Sequence, residues 1–364
     1  MSETNGAAPP MFTPYALRGM TLINRVVMSP MCMYSAEDGT ANDFHLVHLG
    51  SRAIGGAGLV FTEMTNVEPA GRISPGCTGM YNPEHVPAWK RVTDFVHQNT
   101  NAKIGVQLGH AGRKAATPEP WNDPSQDNNW QIYAPSPMAF SDASPTPKEM
   151  DRADMDRVRD AFADAARMAD EAGFDIIELH CGHGYLLSSF ISPLTNRRGD
   201  DYGGPVENRM RFPLEAFRAV RDAFPADKPV SARISAFDWV DGGTTEEDAV
   251  EIGRLFKQAG LDILDVSTGN VVAGGRPTVT GLFQTPFSEK IRREAGIPTM
   301  TVGNITGPAE INDIIENGRA DLCVVGKGHL YDPYFARHAA RALDTDGPDW
   351  PRQYGRGAGF TPSF

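Results

Sequence analysis

The chain has 364 residues, 40% of them hydrophobic, and its 34 basic and 46 acidic side chains give a formal net charge of −12. No apolar run is long enough to span a bilayer and no basic cluster stands out, so the composition argues against a membrane or a nucleic acid as partner. The four cysteines lack CxxC spacing and the first residues lack a secretion signal, which predicts a cytoplasmic protein with reduced thiols.

The chain divides into a long central region with short ends. Residues 1–10 are predicted to form a disordered lead, because small and polar side chains dominate them. Residues 11–345 are predicted to form a single domain, and residues 346–364 a C-terminal tail. A single domain of this length exceeds the usual size, but barrels of alternating strands and helices are a standard exception.

Short apolar runs alternate with helix-like stretches from residue 24 onward. Such runs, rich in β-branched residues, are typical of buried parallel strands. The predicted strands are residues 25–28, 59–62, 103–108, 176–179, 230–234, 263–267, 299–302 and 322–325. The predicted helices are residues 86–99, 151–172, 205–223, 245–259, 287–295 and 309–317. Thr245 is a predicted N-terminal cap, and Gly173, Gly260 and Gly318 are predicted C-terminal glycines.

Eight alternations of strand and helix predict an α/β fold, a single (β/α)8 TIM barrel. A doubly wound sheet is the alternative, but no GxGxxG turn follows the first strand. Residues 111–150 form one long connection after the third strand and contain Trp121 and Trp130. A connection of that length is predicted to be a lid or wall of the active site, and a surface insertion remains the alternative.

The fourth predicted strand ends in His180, His183 and Tyr185, within the string ELHCGHGYLL. Chemistry in a barrel lies on the loops that follow the strands. Two imidazoles and a phenol there can donate hydrogen bonds to a carbonyl oxygen that gains negative charge. Packing and a zinc site are the alternative interpretations of an HxxH pair, but only Cys181 lies nearby as a further ligand, so no metal is predicted.

Glycine-bearing turns follow the seventh and eighth predicted strands, at Gly303 with Asn304 and at Gly326 with Lys327. These two loops form the usual phosphate site of a barrel, although each glycine alone is explained by its turn. Arg233, at the end of the fifth strand, lacks a local acidic partner in the sequence and therefore predicts an anionic ligand. A flavin fits, because its reduced form is an anion.

Strings throughout the chain carry a family resemblance. They are NRVVMSPMCMYSAEDG, GGAGLVFTEMT, GRISPG, QLGHAGRKA, ELHCGHGYLLSSFISPLTNRR, DDYGGPVENRMRF and GRADLCVVG. Together they make the chain resemble the Old Yellow Enzyme family, in its bacterial class of xenobiotic-reductase-like and thermophilic-like ene-reductases. The resemblance runs from Phe12 to about Arg356. It implies non-covalently bound FMN, NADPH as hydride donor, and an α,β-unsaturated carbonyl compound as second substrate in a ping-pong order.

The resemblance also implies roles for single residues. The residues expected to hold FMN are Ser29, Pro30, Met31, Cys32, Met64, Gln107, Arg233, Gly303, Asn304, Gly326 and Lys327. His180 and His183 would hold the substrate oxygen with help from Tyr34, and Tyr185 would donate a proton. Arg356 is expected to reach the active site of a neighbouring subunit in a homodimer or a dimer-based oligomer.

Some alternatives stay open beside these expectations. Lys327 stands where the family more often has arginine, and Cys181 replaces a small residue between the histidines. Cys32, Tyr34 and Tyr185 can also be explained as packing residues. A stand-alone reductase of dienones derived from aromatic acyl-CoA, a non-catalytic flavin-binding protein and a barrel lyase or aldolase are the other functions considered. A Schiff-base lyase needs a lysine of lowered pKa, which is not expected of the lysines near the strand ends.

Overall fold

The computed structural model describes residues 8–123, 129–358 and 360. Its centre is a closed barrel of eight parallel strands, which confirms the predicted (β/α)8 architecture and excludes the doubly wound sheet. In chain order the barrel strands are β1 (Val26–Met28), β2 (Leu59–Asn66), β3 (Lys103–Gly109), β4 (Ile176–Cys181), β5 (Val230–Ser235), β6 (Ile263–Ser267), β7 (Thr299–Val302) and β8 (Leu322–Val325). Strands adjacent in sequence pair with each other, and β8 closes the barrel against β1.

One principal helix follows each barrel strand. These helices are α1 (Asp43–Ile54), α2 (His85–Asn99), α3 (Arg152–Glu171), α4 (Arg211–Ala223), α5 (Glu246–Ala259), α6 (Thr285–Ala295), α7 (Pro308–Glu316) and α8 (Phe335–Ala342). Shorter helices are Leu186–Ile191 after β4, Val206–Arg209 before α4, and Lys327–Tyr331 after β8. Large apolar side chains such as Trp89, Phe162 and Phe217 are fully buried between this helical layer and the barrel.

The barrel interior carries polar and ionisable side chains toward its carboxyl end. All six residues of β4 are buried, and the strand register places Glu178 beside Gln107 of β3 and His180 beside Arg233 of β5. The next pairing along the barrel places Asp265 of β6 beside Arg233. Because alternate residues of a strand face the same way, Glu178 and His180 point to one side, so one strand supplies both a deep acid and a group at the mouth.

The helix ends follow the predicted signals. The Thr245 hydroxyl accepts the Asp248 N–H at 3.1 Å at the start of α5, and Gly260 ends that helix with a φ of 97°. Gly173 and Gly318 also have left-handed φ angles, of 87° and 63°, just after α3 and α7. Glycine adopts this conformation without the steric cost of a Cβ atom, so it terminates these helices cleanly.

The elements differ from the prediction in several places. Strand β2 is longer than predicted and has irregular pairing between Phe61 and Met64, while β4 continues through His180 to Cys181. The helix predicted over residues 205–223 breaks at Met210 into two pieces. Helix α8 and an antiparallel hairpin of Tyr15–Leu17 and Met20–Leu22 were not predicted. Three-residue strands carry too little alternation to be recognised in a sequence.

The connection between β3 and α3 forms a wall beside the mouth, as predicted. Its own elements are the 3-10 turn Gly112–Lys114 and the paired short strands Tyr133–Ala134 and Lys148–Glu149. The Trp121 ring meets the Tyr34 ring edge-on, with centroids 6.0 Å apart. The Trp130 indole N–H donates to the Ala70 carbonyl at 3.1 Å and anchors the same connection. Residues 124–128 lie outside the described residues.

The two ends of the chain are only partly described. Residues 1–7 of the predicted lead lie outside the described residues, and Pro10 belongs to the 3-10 helix Pro10–Phe12. The tail contains the 3-10 helix Arg352–Gly357, and Gly359 and residues 361–364 lie outside the described residues. Among the described helices none is both long enough and apolar enough to cross a membrane.

Candidate active site

His180 and His183 face each other at the carboxyl end of β4. His180 is the fifth residue of the strand and is buried, whereas His183 lies in the loop that follows and is half-buried. The two rings meet edge-on with centroids 5.1 Å apart, and His180 Nε2 lies 3.3 Å from His183 Nδ1. Two imidazole nitrogens therefore converge on one point at the mouth of the barrel.

The backbone of His183 is held in an unusual conformation. Its φ of 59° lies in the left-handed region, which costs a non-glycine residue free energy and persists only where neighbours enforce it. The His183 N–H donates to Ser235 Oγ at 2.8 Å, and its carbonyl accepts from Lys114 Nζ at 2.8 Å. Gly184 follows with a φ of 73°, and a Cβ atom there would lie 2.6 Å from the Val271 carbonyl.

Both histidines are neutral at physiological pH. Burial lowers the pKa of each imidazole well below its usual value, and the positive charges of Arg233 and Lys114 lower it further. A neutral imidazole donates from one nitrogen and accepts at the other. The pair can therefore act as hydrogen-bond donors without bringing charge into the mouth.

Tyr185 is the next side chain in the same loop. Its ring meets the His180 ring edge-on with centroids 4.9 Å apart, and Lys114 Nζ lies 5.1 Å from the Tyr185 ring centroid. Burial raises the pKa of the Tyr185 hydroxyl well above its usual value, and the Cys32 and Tyr34 groups raise it further. The phenol therefore keeps its proton across the physiological pH range.

Lys114 corrects one expectation from the sequence. No lysine near a strand end was expected to have a lowered pKa, yet burial, with Arg113 and Arg276, lowers the pKa of Lys114 to about 8. Its Nζ donates to the carbonyls of His183 at 2.8 Å and Asn270 at 3.2 Å. The lysine is thus used to join the loop after β4 to the loop after β6, not presented as a nucleophile.

The segment that follows β1 lines another side of the mouth. Cys32 and Tyr34 pack with Met64 and Cys77 in one apolar cluster. Burial raises the pKa of the Cys32 thiol well above its usual value, and the Glu63 carboxylate raises it further, whereas hydrogen bonds from the Met64 N–H and the Tyr34 hydroxyl act in the opposite direction. Cys32 is therefore a thiol and not a thiolate.

Glu63 also fixes the backbone of this segment. Its Oε2 accepts the Met33 N–H at 3.2 Å, and its Oε1 lies 3.0 Å from His45 Nε2. His45 Nδ1 accepts the Asn42 N–H at 3.0 Å, so the proton of the ring is on Nε2 and is donated to Glu63. His45 therefore has a structural role at the start of α1.

Arg233 lies at the centre of the mouth with acids below it. Its Nη1 donates to Ser29 Oγ at 3.2 Å, and its Nε lies 3.3 Å from Asp265 Oδ2. Gln107 Nε2 donates to Glu178 Oε1 at 2.8 Å, which leaves its Oε1 as an acceptor. Burial and mutual repulsion raise the pKa of Glu178, and burial raises that of Asp265 despite Arg233.

These groups fit the cofactor that the sequence predicts. Within the described residues, the guanidinium of Arg233 makes one hydrogen bond, from Nη1 to Ser29, and its Nε contact with Asp265 lacks hydrogen-bond geometry, so donors remain for a ligand. Ser29, Gln107 and Arg233 follow or end three strands around one mouth, and together they suit the polar edge of a flavin ring. Pro30, Met31, Cys32 and Met64 lie beside this set and offer apolar and sulfur surface, with Met64 fully buried.

The glycine turns after β7 and β8 lie at the same end of the barrel. Gly303 has a φ of 115°, and a Cβ atom there would lie 2.4 Å from Gln284 Nε2. A Cβ on Gly326 would touch Ser29 Cβ at 3.7 Å, so this turn lies against the segment after β1. Lys327 is exposed, whereas the Asn304 amide donates to the Gly281 carbonyl at 3.1 Å. One N–H of that amide is thus used within the chain, which leaves its second N–H and the Asn304 backbone for a phosphate.

The predicted tail residue Arg356 lies away from this set. It is exposed in the 3-10 helix Arg352–Gly357. The neighbouring residues 349–353 line a surface cavity with residues 97–101, which precede β3. That cavity is therefore at the amino end of the barrel strands, opposite the mouth. The structure does not bring Arg356 to the histidine pair of its own chain.

Comparison with known proteins identifies the family. The model of the NADH:flavin oxidoreductase / NADH oxidase family matches residues 10–346. The chain belongs to this family. The NADPH dehydrogenase of Geobacillus thermodenitrificans is 45% identical over 96% of this chain and 99% of its own length. That of Listeria monocytogenes is 44% identical over 95% and 98%. The expected resemblance to the Old Yellow Enzyme family is thereby confirmed.

Solved structures agree with this family assignment. Morphinone reductase is 27% identical, with a TM-score of 0.79 over 95% of this chain and 92% of that chain. A 2-naphthoyl-CoA reductase complex has a TM-score of 0.83 at 22% identity, and the chain spans 52% of that protein, so this likeness concerns the fold alone. As a family member, the chain is an FMN-dependent oxidoreductase that takes its electrons from a reduced nicotinamide nucleotide. The lyase and non-catalytic alternatives are excluded.

Several supporting residues of the site were not predicted. Ser235 and Ser267 are the last residues of β5 and β6, and Lys114, Gln284 and Glu63 contact the predicted residues from behind. The two serines could have been predicted as site residues, because each is the last residue of a barrel strand. Nothing in the sequence indicated the other three, because their partners come from distant parts of the chain.

Proposed function

We propose that this protein is an ene-reductase that reduces the C=C bond of α,β-unsaturated carbonyl compounds with NADPH, in a ping-pong order. The observation that carries the proposal is the convergence of His180 Nε2 and His183 Nδ1, 3.3 Å apart, beside the half-buried Tyr185 phenol. This geometry suits one carbonyl oxygen between two donors and one proton donor close by. The names of the NADPH dehydrogenase relatives support NADPH as the donor.

The cofactor set supports this reaction. Bound FMN accepts a hydride from the nicotinamide and passes it to an electron-poor carbon. Arg233 and Gln107 would hold the polar edge of its ring, with Ser29 bonded to Arg233. Pro30, Met31, Cys32 and Met64 would contact the ring from the sides of β1 and β2. The backbone of Gly303, Asn304 and Gly326, with the Lys327 ammonium, would bind the phosphate.

The histidine pair would polarise the substrate. An enone becomes electron-poor at its β-carbon when its carbonyl oxygen accepts hydrogen bonds. Both imidazoles remain neutral because burial and Arg233 lower their pKa, so they donate without attracting a proton from solvent. Tyr34, whose φ of 50° turns its ring toward the wall residue Trp121, would close the same side of the mouth.

Tyr185 would deliver the proton that completes the reduction. After hydride arrives at the β-carbon, the α-carbon needs one proton. The Tyr185 hydroxyl holds its proton because burial raises its pKa, and the His180 ring fixes its orientation. The strongly basic phenolate left behind recovers a proton from solvent readily. General acid catalysis of this kind typically contributes about 10²- to 10⁴-fold.

A single mouth supports the ping-pong order. The residues proposed for cofactor and substrate all lie at the carboxyl ends of the strands, so the nicotinamide and the enone would use the same opening in turn.

An exposed apolar surface supports the proposed homodimer. Phe44 and Val47 of α1 are 51% and 67% exposed, and Leu330 and Tyr331, in the short helix that Arg52 of α1 contacts through the His329 carbonyl, are 48% and 94% exposed. A second copy of the chain would cover it. The cytoplasmic location remains a prediction.

An anaerobic titration of the purified holoenzyme tests the function. NADPH should bleach the flavin absorption band, and 2-cyclohexenone should restore it with one equivalent of cyclohexanone formed. A dienoyl thioester of an aromatic acyl-CoA, added in a parallel sample, tests the other substrate class. Recovery with the thioester but not with cyclohexenone would overturn the proposed substrate. Absence of bleaching by NADPH would overturn the proposed donor.

A further inference from the structure

A continuous chain of hydrogen bonds runs from the histidine pair into the barrel wall. The Gly182 N–H points at His180 Nδ1, at 3.2 Å, so that nitrogen is an acceptor and the His180 proton is on Nε2. Nε2 faces His183 Nδ1 at 3.3 Å and donates to it. The Gly182 backbone N–H, whose position is fixed, therefore determines which nitrogen of His180 carries the proton.

The same reasoning continues outward from His183. Because its Nδ1 accepts, its own proton is on Nε2, which lies 2.8 Å from Ser267 Oγ. Ser267 Oγ donates onward to Gln284 Oε1 at 3.1 Å. The Gln284 amide is oriented by its Nε2, which donates to the Val302 carbonyl at 3.1 Å. Every donor in this chain points away from the mouth when no carbonyl compound is bound.

A substrate oxygen between the rings needs the opposite arrangement at His183. To accept from both rings it must find a proton on His180 Nε2 and on His183 Nδ1. A neutral imidazole has one N–H, so His183 Nε2 must then become an acceptor. The Ser267 hydroxyl can supply that hydrogen bond by rotating from Gln284 toward His183. The ring keeps one proton throughout, and only the nitrogen that carries it changes, by exchange with solvent in the open mouth.

Gln284 is built to tolerate this rotation. Its Oε1 also accepts from Thr268 Oγ1, at 2.9 Å, so it stays hydrogen-bonded after Ser267 turns away. A buried acceptor left without a donor would otherwise destabilise the rotated state. The Val302 carbonyl, which accepts from Gln284 Nε2 at 3.1 Å, holds the amide in the orientation that presents Oε1 to Ser267.

We propose that Ser267, backed by Gln284 and Thr268, is the positioning residue that selects the tautomer of His183. In the free enzyme Ser267 accepts from His183 Nε2, and in the substrate complex it donates to that atom and leaves Nδ1–H for the carbonyl oxygen. This inference rests on the proposed function, because it requires a carbonyl oxygen at the histidine pair. Protonation of His183 is no substitute, since burial and the Arg233 charge lower its pKa well below neutral.

The test combines nitrogen-15 NMR of histidine-labelled holoenzyme with binding of the saturated ketone cyclohexanone. In the wild type, cyclohexanone should move the His183 proton from Nε2 to Nδ1, which the two nitrogen shifts distinguish. Ser267→Ala should abolish this change and weaken cyclohexanone binding roughly 3- to 10-fold, the worth of one neutral hydrogen bond. Ser267→Thr, which keeps a hydroxyl, should restore both. Binding is followed by the change in flavin absorbance.

Ser288→Ala is the matched control, because Ser288 is a buried serine whose hydroxyl bonds Thr299 Oγ1 at 2.9 Å, away from the mouth. It should bind cyclohexanone as the wild type does. If cyclohexanone binds and His183 keeps its proton on Nε2, or if Ser267→Ala binds as tightly as the wild type, this inference is wrong while the proposed function stands. If the wild type does not bind cyclohexanone at all, the proposed substrate class falls, and the inference falls with it.

Discussion

Cys32 is proposed to act on the cofactor as a single side chain, without reacting. Its thiol stays protonated because burial and the Glu63 carboxylate raise its pKa. A neutral thiol next to the flavin ring can change the relative stability of the oxidised and reduced cofactor through a weak hydrogen bond. Cys32→Ala should therefore shift the flavin reduction potential and change both half-reaction rates, while turnover persists.

Potentiometric titration of the Cys32→Ala holoenzyme measures this effect. Cys323→Ala is the matched control, because Cys323 is a fully buried cysteine of β8. The flavin reduction potential of Cys323→Ala should equal that of the wild type. A Cys32→Ala enzyme that binds FMN but has no turnover would show that the thiol takes part in the chemistry, and the tuning role would then be rejected.

Lys114 is a second single side chain that positions the site, through hydrogen bonds to two backbone carbonyls. Its ammonium donates to His183 and Asn270, and it lies over the Tyr185 ring. Lys114→Met keeps the length of the side chain and removes these bonds, so the left-handed turn at His183 should relax. We expect kcat/KM for cyclohexenone to fall about tenfold or more, while flavin reduction by NADPH stays within a few-fold.

The fall in kcat/KM of Lys114→Met should be confined to the reaction with the carbonyl substrate. Lys148→Met, a change in the partly exposed lysine that pairs with Asp154 at 2.7 Å on the outside of the barrel, controls for loss of charge. Steady-state kinetics with each substrate varied in turn separates the two half-reactions. Equal losses with NADPH and with cyclohexenone would mean that Lys114 supports the whole fold of the mouth and not the histidine turn.

At the scale of elements, the loop after β4 is predictable in content but not in conformation. The string His180 to Tyr185 indicates a polar strand end, and the structure brings those side chains together. The left-handed turn at His183 depends on Ser235 at the end of β5 and on Lys114 and Val271 from two other loops. Such contacts join residues far apart in sequence, so no local pattern reveals them.

The C-terminal tail makes no contact with the active site of its own chain among the described residues. Arg356 is exposed, and its neighbours lie near the start of β3, opposite the mouth. Truncation before Pro351 should therefore leave FMN content unchanged, reduce the dimer fraction and raise the KM for cyclohexenone. Light scattering and steady-state kinetics on the truncated protein measure both. If mass and KM are unchanged, Arg356 does not serve a neighbouring subunit.

At the scale of the whole molecule, the barrel itself was the most predictable feature. Eight buried runs with turns after them dictate parallel strands, and the three last predicted strands have the observed bounds. The hairpin before β1 and helix α8 were missed, because a short element is stabilised by what it packs on. Acids inside the barrel, such as Glu178 and Asp265, were also missed, since their polarity gives no hint of Arg233 beside them.

Buried imidazoles should make the stability of the molecule sensitive to acid. Burial lowers the pKa of His48 and His329 to about 4, and those of His180 and His183 also fall well below 6.5. The unfolded chain binds protons at these sites below pH 6.5 and the folded chain does not, so the free energy of unfolding falls as pH drops from 6.5 toward 4. Each group contributes up to about 1.4 kcal/mol per pH unit.

Glu178 and Asp265 act in the opposite direction. Their raised pKa values make the folded chain bind more protons than the unfolded chain above about pH 4.5, which favours folding as pH falls. With His85, whose pKa burial lowers, and Asp238, whose pKa burial raises, five imidazoles oppose three carboxyls, which leaves a net loss of stability in acid. Urea unfolding at pH 7 and pH 5 should show a lower midpoint at pH 5. His48→Gln should flatten this dependence by up to one proton. A midpoint that rises on acidification would contradict the balance.

The central claim is that one loop both binds the carbonyl oxygen and protonates the α-carbon after hydride has reached the β-carbon. Rapid-mixing measurement of the two half-reactions of Tyr185→Phe tests it most directly, because this change keeps the ring beside His180 and removes only the hydroxyl. Tyr133→Phe, in the wall, is the matched control. Flavin reduction by NADPH should stay within a few-fold, and reoxidation by cyclohexenone should slow about 10²- to 10⁴-fold. An unchanged reoxidation rate would contradict the claim.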